Sequence, residues 1–303
     1  MRKKILISLF ALLLVSNLTF AEQPAAEKYR EIFKSGNFYV EYGVAGLRGF
    51  NRVGTDIMGV GYNRYSATKY KKASIYLKTA AYNGMRMKGL YGSTSFVMDF
   101  LGGRLELNSK KVAPDVLYAN KKYYRTQTTM KREFFNTKAI VRAVMLTEEK
   151  LASKNLNPAE KWDTVRSDLA IPIELSIFYQ DPYNDETLEM PKYTGSKEQI
   201  VNDKRYMADE YVRDRGSFKE VYRALYDKGE IVYVQYYEVT DKSTDLISII
   251  DIRKISSEVP TEIFNLPNGT KIYAADEGKM HDLIEKKVLI EEVGKIKGKK
   301  DEQ

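Results

Sequence analysis

Two short stretches, one near each end of the chain, carry a strict period of two. Phe38, Val40 and Tyr42 alternate with Tyr39 and Glu41, and Val232, Val234 and Tyr236 alternate with Tyr233, Gln235 and Tyr237. That spacing places every second side chain on the same face of a pleated strand, so each stretch suits a sheet with at least one buried face. Further strand-like runs lie at 56–65, 73–82, 85–90, 94–101, 104–108, 116–118 and 122–126, and again at 170–180, 205–213, 218–227, 231–239 and 246–255. The pairs Asn83-Gly84 and Gly102-Gly103 stand between neighbouring runs, where hairpin turns need residues that accept positive φ. The pattern predicts an α+β chain that is mainly antiparallel β. A sheet of about ten strands must close or be covered to protect its edges, so one continuous curved sheet covered by helices is expected.

Two segments break the rhythm. Residues 25–34 read as a short amphipathic helix stopped at Ser35-Gly36, and 146–166 are rich in charged helix formers, with Asn157-Pro158-Ala159-Glu160 resembling a helix start. Residues 181–195 read as a polar loop with two prolines, and 276–303 as a helical or loose extension, with a strand over 288–293 as the alternative. No internal repeat is evident. The expectation is one curved-sheet domain over 22–275 carrying the helical insertion.

The first 21 residues have the tripartite form of a secretory signal: Arg2, Lys3 and Lys4, an apolar run from Ile5 to Val15, and a close at Thr19-Phe20-Ala21. The apolar run is shorter than the roughly 20 residues a membrane-spanning helix needs. Cleavage after Ala21 and a periplasmic location are therefore expected. The chain contains no cysteine, which rules out disulfides, thiol chemistry and lipid attachment through an N-terminal cysteine. Removing the three leader cations from 49 basic residues against 41 acidic ones leaves a net charge of +5. So mild a balance is no signature of nucleic-acid binding.

Catalytic constellations are scarce. His281 is the single histidine, so nucleophile and base pairs and paired-histidine metal sites have no support, and Gly59-Val60-Gly61 is too short for a dinucleotide fingerprint. Asp209, Glu210 and Asp214 read as a solvated sheet face. The 23 tyrosines suit sheets, half-wet cavities and membrane interfaces alike. The expectation is a protein that is no enzyme and uses no cofactor and no metal.

Three segments together resemble bacterial outer-membrane lipoprotein-sorting proteins, relatives of the periplasmic lipoprotein carrier. They are Tyr82-Asn83-Gly84-Met85-Arg86-Met87 with Phe96-Val97-Met98-Asp99 and Lys121-Lys122-Tyr123-Tyr124; Glu198-Gln199-Ile200 leading to Tyr206, Glu210 and Leu225-Tyr226-Asp227-Lys228-Gly229; and Val259-Pro260-Thr261-Glu262-Ile263-Phe264-Asn265-Leu266-Pro267-Asn268-Gly269. Their order spans residues 38–273. The resemblance implies a strongly curved, unclosed barrel, a half-barrel whose apolar hollow holds lipid or the acyl chains of a lipoprotein beneath covering helices. On that reading Phe38, Val40, Tyr42, Met85, Met87, Phe96, Met98, Val232, Val234 and Tyr236 are candidates to line the hollow. Arg86 is the candidate that ties the sheet to its lid; alternatively it joins Lys78, Lys88 and Arg104 on a solvated basic face. A regular strand points Arg86 away from Met85 and Met87, so the three share a cavity only if a bulge intervenes. The partners implied are lipid, an acylated protein or another envelope protein, with peripheral membrane contact and no nucleic acid. Two other readings stay open, an outer-membrane β-barrel and an envelope scaffold or sensor.

Overall fold

Strands with alternating apolar faces need neighbours on both sides, and here they find them in one long sheet. The computed structural model describes residues 24–46, 68, 73, 76–89, 92–100, 103–111, 113–133, 136–152, 162–184 and 189–274. The expected leader, the run at 56–65, His281 and the C-terminal extension lie outside these residues.

The chain enters through helix α1 (Pro24–Lys34) and strand β1 (Phe38–Gly46), then β2 (Tyr76–Tyr82) and β3 (Met85–Gly89). A hairpin of β4 (Gly92–Phe100) and β5 (Gly103–Lys111) follows, then β6 (Val116–Ala119), β7 (Lys122–Glu133) and β8 (Asn136–Thr147). After α2 (Glu148–Leu151), α3 (Trp162–Leu169) and a 3-10 turn at Ile173–Ile177 come β9 (Lys192–Val201), β10 (Lys204–Asp214), β11 (Lys219–Asp227), β12 (Glu230–Val239) and β13 (Thr244–Ser256). A second 3-10 turn at Thr261–Phe264 leads into β14 (Lys271–Ala274).

Twelve strands form one unclosed, mostly antiparallel sheet in the order β14-β8-β7-β6-β3-β2-β1-β13-β12-β11-β10-β9. β1 lies near the middle and pairs with β13, which joins the strands on either side of residue 150 into one surface. Four of the hairpins close through two residues of positive φ, at Asn83-Gly84, Asn120-Lys121, Asn202-Asp203 and Lys228-Gly229. That twist matches the right-handed twist of the flanking strands. Two of these turns contain no glycine; Asn and Asp tolerate the left-handed region because their short side chains bond locally.

One face of the sheet is covered by helices. Tyr29 and Phe33 of α1, with Leu175, Ile177 and Phe178, pack on Phe38, Val40, Tyr42, Tyr211, Tyr222, Val234 and Ile250. Farther along this face, Leu151, Val165 and Leu169 rest on Val116, Tyr123, Val144 and Leu146. On the opposite face the segment after β13 carries Ile263 and Phe264 onto Tyr39, Ala80, Met87 and Leu117 before β14 pairs in parallel with β8.

The structure corrects several expectations. Residues 170–180 form no strand. They hold the 3-10 turn, lying over the sheet as part of its cover, and Leu175 and Ile177 are fully buried. A short apolar run that is buried on all sides has no period to distinguish a strand from a covering turn. The run at 94–101 leaves the main meander and pairs only with the following strand in a separate two-stranded sheet. β8, β9 and β14 have no counterpart among the expected strands, β9 taking residues 192–195 from the expected loop and β8 residues 146–147 from the expected helical stretch, and β7 extends well beyond residue 126. The unbroken polar run Arg125-Thr126-Gln127-Thr128-Thr129 hides any alternation in β7, and four residues are too few to show one in β14.

Candidate functional site

β3 is paired on both sides, with Ala81 opposite Arg86 on β2 and Tyr118 opposite it on β6. The pleat turns Arg86 toward the covered face, where it is 6% exposed. There its guanidinium meets the carboxylate of Asp181, from the segment just after the 3-10 turn. Nη1 donates to Oδ2 at 2.8 Å and Nη2 to Oδ1 at 2.9 Å. The same carboxylate accepts from the backbone N–H of Ile171 at 2.9 Å and of Tyr183 at 3.1 Å. Four donors around one buried carboxylate compensate for the loss of water, and the paired fork fixes direction as well as charge. The guanidinium also lies over the rings of Phe38, at 5.1 Å, and Tyr183, at 4.2 Å. Burial pushes the Tyr179 and Tyr183 hydroxyls above the usual tyrosine range, with Arg86 pulling both the other way.

Around this clasp the face is largely apolar. Phe33 of α1 meets Phe38 edge-on at 5.2 Å and stacks on Tyr179 at 5.9 Å, while Phe178 meets Tyr29 at 5.4 Å and Tyr211 at 6.2 Å. Tyr29 fastens α1 to the start of β12: it donates to Glu230 at 2.9 Å and accepts from the Ile231 N–H at 2.8 Å. Beside it Lys28 pairs with the same carboxylate. Glu174, in the 3-10 turn, accepts from Ser248 of β13, a further polar contact of the cover with the sheet.

Polar groups continue beyond Arg86. Lys88 shares its face, and burial pushes its ammonium below the usual lysine value while Asp168, Glu174 and Asp181 pull it back. Arg125 pairs with Asp168 of α3. The alternative of a solvated basic face is therefore corrected for Arg86, which is buried and paired. Lys78 lies on the other face, its ammonium 6.0 Å from the centre of the Tyr39 ring.

The candidate lining residues divide. Phe38, Val40, Tyr42 and Val234 belong to the core beneath α1 and the 3-10 turn, and Tyr236 packs against that core while stacking on Tyr222 at 4.9 Å. Met85 and Met87 pack on the opposite face with Ile263 and Phe264, because no bulge interrupts β3. Val232 also packs on the opposite face, against the cluster of Tyr206, Leu225 and Tyr233. Its displacement has a visible cause. Tyr226 pairs with Ile231 while Leu225 pairs with Tyr233, so Val232 is the extra residue of a β-bulge and Ile231 takes the place on the covered face. Phe96 and Met98 lie on β4, outside the twelve-stranded sheet, and their side chains lie outside the described residues.

Sequence reasoning missed Asp181, Glu174 and Ile231. Only the bulge could have revealed Ile231, and a lone Asp in a proline-bearing loop carries no signal. It also misread Asp209, which is fully buried rather than solvated. Asp209 and Glu210 point to opposite faces, and Glu210 pairs with Lys197 at 2.7 Å and Arg223 at 2.9 Å.

One space of about 10 Å³ adjoins Ser176, Asp181, Asn184 and Arg213, while a wider surface cleft of about 530 Å³ runs past Lys192, Thr194, Arg215 and Lys219. Among the described residues no group of three or more His, Cys, Asp or Glu side chains could hold a metal ion, and no helix is long and apolar enough to cross a membrane. Comparison with known proteins finds no protein-family model and no curated protein that matches the chain.

Proposed function

We propose that this is an exported, non-catalytic protein that binds lipid or the acyl chains of a lipoprotein on the covered face of its half-barrel-like sheet, with a role in outer-membrane lipoprotein sorting. The observation that carries this reading is the Arg86–Asp181 clasp, a buried ion pair that ties the cover to the sheet beside a largely apolar core. A cover fastened at few polar points separates from a sheet more readily than one interlocked throughout.

The side chains that occupy the face give the energetic scale. Burying Tyr29, Phe33, Leu175, Ile177 and Phe178 contributes roughly 1.5–3 kcal/mol each. An acyl chain of about fourteen methylenes gains about 0.8 kcal/mol for each one shielded, a comparable total. Exchange of cover for ligand is then close to balanced, as reversible loading requires. The cover packed down on the sheet is the closed form of such a cycle. A membrane-spanning β-barrel closes its sheet to satisfy every edge, and the unclosed order here favours the covered-sheet reading over that alternative.

The test is to purify the full chain from cell envelopes, extract it with organic solvent and identify bound lipid by mass spectrometry, in parallel with native mass spectrometry of the intact complex. Stoichiometric acyl lipid, held differently by Arg86→Leu, supports the reading. Lipid-free protein that also fails to bind a fluorescent fatty acid in both wild type and Arg86→Leu would overturn it.

A further inference from the structure

Asp209 stands in the middle of β10, opposite Ser196 on β9 and Ala224 on β11, and its side chain points to the covered face. It has no exposed surface. Its Oδ1 accepts from the Ser196 hydroxyl at 2.5 Å, and that hydroxyl lies 2.6 Å from the Tyr193 hydroxyl. Oδ2 is equally buried and has no hydrogen-bond partner among the described residues, and the Tyr226 hydroxyl, buried nearby, faces the Tyr211 hydroxyl.

The groups nearest this carboxylate in the strands are hydroxyls and apolar atoms, and α1 brings one cation, Arg30, toward Tyr211. β9 presents Ser196 and Tyr193, β10 presents Met207 and Tyr211, and β11 presents Ala224 and Tyr226. From α1 come Tyr29, whose charge state acts on Tyr226, and Arg30, which acts on Tyr211. Lys197, Glu210 and Arg223, the charged residues closest in the strands, pair with one another on the other face. An ionised carboxylate buried with one hydroxyl donor and no paired cation is costly, whereas the neutral acid turns its oxygen into a donor for a nearby tyrosine. We propose that Asp209 is held as the neutral acid in the folded protein, and that its ionisation loosens the tyrosine-lined packing between β10, β11 and α1, making this edge of the fold proton-linked. Burial pushes the Asp209 carboxyl above the usual range and the Ser196 hydroxyl opposes that only in part, which agrees with the geometry. The inference concerns folding and does not depend on any ligand.

The direction follows from linkage. An acid whose folded-state pKa is raised contributes stability that is complete below its unfolded value, about 3.9, and is lost as pH rises toward the raised value. The experiment compares wild type with Asp209→Asn, an uncharged isostere, by urea unfolding from the acid end to neutral pH and by hydrogen exchange of the α1 and β10 amides corrected for intrinsic rates. Asp209→Asn is expected to match wild type at the acid end and to gain on it as pH rises, with α1 amides of the wild type exchanging severalfold faster than those of the variant at neutral pH. Ser196→Ala, which removes the hydroxyl donor to the charged form, is expected to steepen the wild-type loss. Parallel profiles for wild type and Asp209→Asn would overturn the proposal, as would an Asp209→Asn chain that falls below wild type as pH rises, the mark of a carboxylate that works as an anion beside a cation.

Discussion

Arg86 on β3 and Asp181 beyond the first 3-10 turn, 95 residues apart in sequence, share two parallel hydrogen bonds of 2.8 and 2.9 Å with both side chains almost wholly out of water. Removing one member leaves the other as an uncompensated buried charge. Arg86→Met should therefore destabilise the protein by about 3–5 kcal/mol, far more than the roughly 0.5 kcal/mol or less of a surface exchange. Arg86→Met combined with Asp181→Asn should recover part of that loss, because the stranded charge is gone. Chemical unfolding of the two single variants and the double variant gives the coupling. Additive losses would show that the two residues act separately.

The contrast with the exposed pairs is a prediction of its own. Lys197 and Glu210 lie 2.7 Å apart, but the lysine side chain is 49% exposed. Water screens such a pair and the lysine gives up rotamer freedom to form it, so Lys197→Ala should cost less than about 1 kcal/mol. The same unfolding assay checks this, and a loss comparable to that of Arg86→Met would contradict the ranking.

Phe33 tests how firmly α1 belongs to the fold. It is fully buried between Phe38 and Tyr179. Replacement by Ala should remove about 3–5 kcal/mol through lost transfer energy and the cavity left behind. Exchange at α1 amides should rise more than at β11, because α1 is joined to the sheet only by side chains. Uniform acceleration throughout would instead place α1 within the global unfolding transition.

The sheet itself was legible from the sequence because period two survives wherever one face is buried, as in β1 and β12. The site was legible only in part. Phe38, Val40 and Val234 reach the covered face by plain alternation, but the same logic applied through Val232 fails at a bulge that leaves no mark on composition. Residues 171–178 resemble a strand because a cover buried on every side and a central strand share one apolar pattern. Asp181 was invisible because its role comes from a contact 95 residues distant. Asp209 was misread because an aspartate beside a glutamate in a strand resembles two surface charges, although the pleat sends one inward.

Gly89 offers a test of local geometry. It ends β3 at φ +131°, and a Cβ built there would lie 2.3 Å from Oδ2 of Asp115. Two separate costs are therefore expected for Gly89→Ala, one from the backbone conformation and one from the clash, about 1–3 kcal/mol in sum. Adding Asp115→Ala removes the carboxylate but keeps the Asp115 Cβ, itself 2.5 Å from the new methyl, and leaves the conformational penalty in place. The double variant should therefore regain only part of the loss, and full recovery would show that the backbone at Gly89 is unstrained by a side chain.

The tyrosines set the alkaline limit of the fold. Tyr76 is pushed up to about 12, first by burial and then by the Asp251 carboxylate, to which its hydroxyl donates at 3.0 Å. Burial likewise raises Tyr29, Tyr42, Tyr123, Tyr211, Tyr222 and Tyr226. An unfolded tyrosine ionises near 10, so each raised group contributes stability that is complete below about pH 10 and is lost as pH climbs toward its folded value. Several such groups lie in the one core beneath α1, so their losses accumulate over the same interval. Tyrosinate absorbance is expected to rise gradually for the exposed rings near pH 10 and then sharply as the fold opens, in step with loss of the sheet signal in circular dichroism. A single smooth titration centred near 10, with the sheet intact, would show that water reaches these hydroxyls in the folded protein and would contradict the packing of α1 on the covered face.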